Sequence, residues 1–176
     1  GLVMFLDWSG SMQYNISGTM KQLFNLVWFC NRVKIPFEVY AFTDQMGGRW
    51  KSSSSNGVYV ANKKVKVGDL KVEYVHLLNF MSSRMTKTEL KKMTHQLFML
   101  SESFAPYRDW QVKGYPKRPI KDLYLGGTPL NAAIVTAMDL LPKFKSETGV
   151  QKVNTIFLTD GASHDMNNFY TNAINK

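Results

Sequence analysis

The chain opens on an unbroken apolar run, Leu2-Val3-Met4-Phe5-Leu6, stopped by Asp7. A run without polar alternation is what a parallel strand buried on both faces requires. The period then changes. Ile16, Met20, Leu23, Phe24, Val27 and Trp28 recur at helical spacing, which predicts an amphipathic helix ending between Asn31 and Lys34, with Pro36 barring its continuation. Phe37 to Phe42 mixes aromatic and β-branched residues and reads as a second strand. Lys71 to Leu78 reads as a third. Thr86 and Glu89 stand at the spacing of a capping box, ahead of a helix with Leu90, Met93, Leu97 and Leu100 on one stripe. Thr128 followed by Pro129 has the form of an N-cap with proline at the first helical position, leading a helix from Leu130 to Leu141 that Pro142 closes. Val153 to Thr159 is the fourth strand, ended by Asp160-Gly161.

Strands alternating with helices predict an α/β domain, doubly wound, with a mostly parallel sheet and helices on both faces. We read residues 1–176 as one such domain with two insertions, at about 44–69 and 104–125. The first holds Gly47-Gly48, four consecutive serines and Asn56-Gly57, with a hairpin expected at Val58 to Val60 and Lys64 to Val67. The second is rich in proline, aromatic and basic residues. Because the first strand begins at the second residue, the chain reads as an excerpt of a longer protein.

Composition changes this picture in two places. With 44% hydrophobic and 20% charged residues the chain has the makings of one ordinary core. No run of about 18 apolar residues occurs, so no spanning helix is expected. The single cysteine, Cys30, lies in the apolar run of the first helix and reads as a buried thiol. It can form no intrachain disulfide, which favours a reducing, cytoplasmic compartment. Charge is uneven. Of the net +9, all lies between Thr43 and Lys121, which carry fifteen Lys/Arg against six Asp/Glu. Such a basic segment is either a solvated face or the footprint of an acidic partner or nucleic acid.

The candidate chemistry sits at element ends. Asp7-Trp8-Ser9-Gly10-Ser11 starts where the first strand stops, Asp160 where the fourth stops, and Thr128 at a helix N-terminus. In a doubly wound order the first and fourth strands are neighbours across the switch point, where ligands of such sheets bind. Two carboxylates and three hydroxyls then meet in one crevice. All are hard oxygen donors, suited to Mg²⁺ or Mn²⁺. Each piece also has an ordinary reading: Ser11 and Thr128 as helix caps, Asp160-Gly161 as a plain turn. Their order and placement together favour a metal site at Asp7, Ser9, Ser11, Thr128 and Asp160.

Asp7-x-Ser9-x-Ser11, then Thr128, then Thr159-Asp160-Gly161 resembles the metal-ion-dependent adhesion site of von Willebrand factor A-type domains and integrin inserted domains. The resemblance covers nearly the whole chain apart from the two insertions. It implies a Rossmann-like fold and a noncatalytic, metal-dependent protein-interaction module. It also implies that Ser9, Ser11 and Thr128 bind the ion directly or nearly so, Asp7 and Asp160 largely through water, with a partner's Asp or Glu completing the shell. The unpaired cysteine and the Asp160-Gly161-Ala162 continuation look more like intracellular members, which commonly serve AAA+ ATPases as adaptors, as in magnesium- and cobalt-chelatase accessory subunits. Two departures stand out. Trp8 occupies a position that is often small or polar, so a more hydrophobic rim is expected. The family's sheet has two further strands, so the chain reads as truncated after the fourth, which becomes an edge.

With Trp8, we expect Arg108, Lys113, Lys117 and Arg118 to form the partner-binding rim, since that basic loop precedes Thr128. Two other readings stay open. A nucleic-acid-binding or ribonucleoprotein component would use the basic middle, with Tyr107, Trp110 and Tyr115 stacking on bases. An extracellular adhesin would carry a signal peptide upstream. An enzyme is not expected. His76, His95 and His164 have no ligand spacing, and neither a phosphate loop nor a nucleophile elbow is present.

Overall fold

The computed structural model describes residues 1–44, 72, 75–104 and 123–164. In chain order they form β1 (Leu2–Asp7), a 3₁₀ turn (Gly10–Tyr14), α1 (Ile16–Val33), β2 (Phe37–Thr43), β3 (His76–Ser82), α2 (Lys87–Ser103), α3 (Leu130–Thr148) and β4 (Asn154–Leu158). The four strands lie in one sheet in the order β3-β2-β1-β4. β1 is central and parallel to both neighbours, with Asp7 opposite Phe42 and Leu6 opposite Leu158. β3 runs antiparallel to β2 along the sheet's far side. The sheet is therefore mixed but mostly parallel, and β1 and β4 are adjacent as the pattern of elements requires.

Alternation along β1 sends its side chains to two cores, because successive strand residues point to opposite faces. Met4 and Leu6 pack with the α1 stripe (Ile16, Met20, Leu23, Phe24, Val27, Cys30) and with Leu90, Leu97 and Leu100 of α2. Val3 and Phe5 pack with Ala133, Ala137 and Phe144 of α3. Helices thus cover both faces, which is why β1 carries no polar residue before Asp7. Burial pushes the Cys30 thiol above its ordinary range, as expected of a structural cysteine.

The ends of α1 and the start of α2 follow the sequence signals. α1 stops at Lys34 in a left-handed conformation (φ 61°), with the Ile35 N–H donating to the Cys30 carbonyl. At α2 the Thr86 hydroxyl accepts from the Glu89 N–H while the Glu89 carboxylate accepts from the Thr86 N–H, so the capping box forms in both directions.

Three expectations need correction. The third strand is His76–Ser82, not Lys71–Leu78. Glu38 on β2 is buried and takes hydrogen bonds from Asn79 and Ser82 and an ion pair from Arg84, so pairing extends to the residues that satisfy it. Pro142 does not close α3; it lies inside the helix, which runs to Thr148 and ends at Gly149 in a left-handed cap (φ 68°). Proline removes one backbone donor, and the turn beyond it brings Phe144 into the core. Thr128 is not the cap of α3. Pro129 occupies that position without a side-chain cap, and the Asn131 N–H donates instead to Ser163 Oγ (2.9 Å). The expected hairpin and nearly all of both insertions lie outside the described residues.

Candidate metal centre

The carboxyl ends of β1 and β4 and the loop entering α3 converge at one end of the sheet. Asp7 is the last residue of β1 and is fully buried. Its Oδ2 accepts a hydrogen bond from the Thr159 hydroxyl (2.7 Å), while its Oδ1, also buried, has no hydrogen-bond partner among the described residues. Beyond it the chain turns outward. Ser9 Oγ lies 3.0 Å from Ser11 Oγ, and the Ser11 hydroxyl donates to Asp160 Oδ1 (2.9 Å). Ser9 is buried, whereas Ser11 and Asp160 are exposed, so the donors run from the floor of the crevice to its mouth.

Thr128 reaches this group through its backbone. Gly126 pairs with Ser9 as an isolated parallel bridge: the Gly10 N–H donates to the Gly126 carbonyl (2.8 Å) and the Gly126 N–H to the Trp8 carbonyl (3.0 Å). On its other side, the His164 N–H donates to the Thr128 carbonyl (3.0 Å), joining it to the loop that carries Asp160. Thr128 is itself buried, and capping α3 does not occupy its hydroxyl. All five residues singled out in the sequence therefore belong to three segments tied to one another.

The electrostatics are those of a crowded anionic floor. Burial holds the Asp7 carboxyl above its ordinary range; hydrogen bonding from Thr159 and Ser9 pulls it down, the Asp160 charge pushes it up, and His164 opposes that push. A carboxylate oxygen buried without a donor is costly, about 1–3 kcal/mol and more when charged. Such a set of two carboxylates and three hydroxyls, one carboxylate oxygen of which has no hydrogen bond among the described residues, would suit a divalent cation with oxygen preference. The residues present fit the group. Asp7, Ser9, Ser11, Thr128 and Asp160 would hold it, directly or through water.

Trp8 requires a correction. It was expected on the rim, but it is fully buried. Asp7 and Ser9 both belong to the site, and Trp8 between them turns into the α1–α2 core. There its ring packs edge-on against Phe80 and Phe104, with Nε1 donating to the Leu123 carbonyl (3.1 Å). A ring of that size with one donor is stable inside when the donor is met. It thus braces the loop leading to Thr128 from below. Exposed aromatic surface on the site's own segments comes instead from Tyr14 and Tyr124. The expected rim residues Arg108, Lys113, Lys117 and Arg118 lie outside the described residues.

Thr159 belongs to the motif, and its hydroxyl has a role the motif does not specify, donating to Asp7. Asp44, at the start of the first expected insertion, is a contributor that the sequence pattern does not single out: its carboxylate accepts the Gly127 N–H (2.5 Å). A signal existed: β1, β2 and β4 each lead into an aspartate within two residues of their last strand residue, Asp7, Asp44 and Asp160. Among the described residues, no helix is long and apolar enough to cross a membrane. In comparisons with known proteins, no family model, no curated protein and no solved structure matches this chain.

Proposed function

We propose that this chain is a von Willebrand factor A-type module that uses a Mg²⁺ or Mn²⁺ ion to bind a protein partner through an Asp or Glu side chain. The observation that carries the reading is the buried Oδ1 of Asp7, which meets no hydrogen-bond donor among the described residues, at the end of the sheet where Ser9, Ser11 and Asp160 bring further side-chain oxygens together. The sheet order supports it, since β1 and β4 adjoin at the switch point where such folds take ligands.

A bound cation here supplies a Lewis-acidic position open to one outside carboxylate oxygen. The chain's own residues do the rest. Ser9 and Thr128 would offer neutral oxygens to the ion, and Asp7 and Asp160 would balance its charge. Ser11, bonded to Asp160 at the exposed mouth, stands where an incoming carboxylate meets the site. The reading is of a binding module, not an enzyme. The single buried cysteine agrees with work in a reducing compartment. An AAA+ ATPase presenting an acidic side chain is the partner class we propose from the resemblance to intracellular members.

Isothermal calorimetry tests the first step. Mg²⁺ or Mn²⁺ should bind at one site per chain, and Asp7→Ala should abolish the heat. Absence of divalent binding at millimolar ion would sink the reading.

A further inference from the structure

Asp44 lies outside the donor set, yet the segment carrying Thr128 depends on it. Its Oδ1 accepts the Gly127 N–H at 2.5 Å, and its Oδ2 is 4.0 Å from His164 Nδ1. Gly127 has no room for a side chain, because a Cβ there would overlap both Asp44 Oδ2 and His164 Cε1. The preceding residue, Gly126, is fixed from the opposite side by its two backbone bonds to Trp8 and Gly10. Residues 126–128 are thus gripped between the loop after β1 and the carboxylate that follows β2.

We infer that Asp44 is a positioning residue for cation binding, acting through the Gly127 N–H to set the backbone from which the Thr128 hydroxyl is presented. This rests on the reading of Thr128 as a donor. The physical argument is one of freedom. Pro129 donates no N–H and the Thr128 carbonyl is committed to His164, so Gly127 is the last backbone donor before Thr128 that can anchor the loop to the sheet. Losing the bond from Gly127 to Asp44 leaves a glycine-containing loop free to rotate, so that the Thr128 hydroxyl is no longer presented from a fixed backbone. Groups that orient metal ligands in this way typically change metal affinity by about 10–100-fold when removed.

Three variants separate positioning from simple charge, with Mn²⁺ titrated into the full chain by calorimetry and the melting temperature in EDTA recorded beside it. Asp44→Asn keeps an oxygen acceptor at the same reach but no charge. Asp44→Glu keeps the charge but carries it one methylene further out. Asp44→Ala removes both. Positioning predicts that the Asn variant stays within about threefold of wild type, while the Glu and Ala variants lose about tenfold or more. The reverse order, with Glu retaining and Asn losing affinity, means that Asp44 acts by charge and overturns the inference. Unchanged affinity in Asp44→Glu overturns it as well. Should the Ala variant fail to fold in EDTA, the Asn and Glu pair still decides. Wild-type chain that takes up no Mn²⁺ overturns the cation site and this inference with it, whereas wild-type uptake with an unaffected Glu variant removes this inference alone.

Discussion

Asp7→Asn should make the ion-free protein more stable and the ion-loaded protein less so, and the two effects can be sized from the site. In EDTA the wild-type carboxylate is buried, lacks a donor at Oδ1 and is repelled by Asp160. A buried unsatisfied acceptor costs about 1–3 kcal/mol. Asparagine keeps an oxygen for the Thr159 hydroxyl, now 2.7 Å from Oδ2, and removes the charge. Its amide brings donors of its own that are incompletely met, which returns part of the gain. A net stabilisation of about 1 kcal/mol remains, or about 2–4 °C in melting temperature for a chain of this size. With Mg²⁺ the order should invert. An ion that binds only the folded state adds about 2.7 kcal/mol when present at a hundred times its Kd, roughly 5–11 °C by the same conversion. The Asn variant forgoes most of that. Differential scanning fluorimetry of both proteins, in EDTA and in saturating Mg²⁺, should therefore give melting temperatures that cross. A wild type more stable than the variant in EDTA, with both rising equally in Mg²⁺, would refute the reasoning, because Asp7 would then be an ordinary buried carboxylate with a partner.

Further outcomes follow from the same contacts. Thr128→Ala should lose Mn²⁺ binding with little change in ion-free melting temperature, since Pro129 and Ser163, not Thr128, serve the start of α3; Thr128→Ser should keep binding, and equal loss in both would show that hydroxyl ligation is not its role. Trp8→Phe should cost about 1–3 kcal/mol by leaving the Leu123 carbonyl without its donor, measured by urea unfolding, where no loss would mean that the bond contributes nothing. The Glu89 carboxyl is held below its ordinary range by the backbone N–H and the hydroxyl of Thr86. Its contribution is present above the unfolded value of 4.5 and lost as pH falls through the lower folded value. Melting temperatures of wild type and Glu89→Gln should thus converge on acidification, and a constant gap would contradict the linkage. Single-stranded or duplex nucleic acid should bind only weakly and with steep salt dependence. Tight binding without divalent ion, abolished by charge reversal at Lys117 and Arg118, would replace the metal-bridged reading with a nucleic-acid one.

Local pattern was enough for much of this protein. The unbroken run from Leu2 to Leu6 can only satisfy its side chains between two layers, so β1 and its burial on both faces were legible. The α1 stripe and the Thr86–Glu89 box are set by residues a turn apart, and both formed as read. The meeting of Ser9, Ser11 and Asp160 beside Asp7 was legible because these residues stand at or just past the ends of β1 and β4. What sequence could not decide depends on neighbours far along the chain. Whether Trp8 faces water or core is settled by Phe80, Phe104 and the Leu123 carbonyl, none of them local to it. β3 extends to Ser82 because a buried Glu38 on another strand needs Asn79 and Ser82. At the start of α3 it is Ser163, thirty-two residues away, and not Thr128, that meets the Asn131 N–H. Asp44 holds Gly127 across eighty-three residues, a pairing that no spacing rule contains. Periodicity and caps act within a turn or a strand; the demand that every buried polar group find a partner acts across the whole fold, and it is that demand which assembled the site.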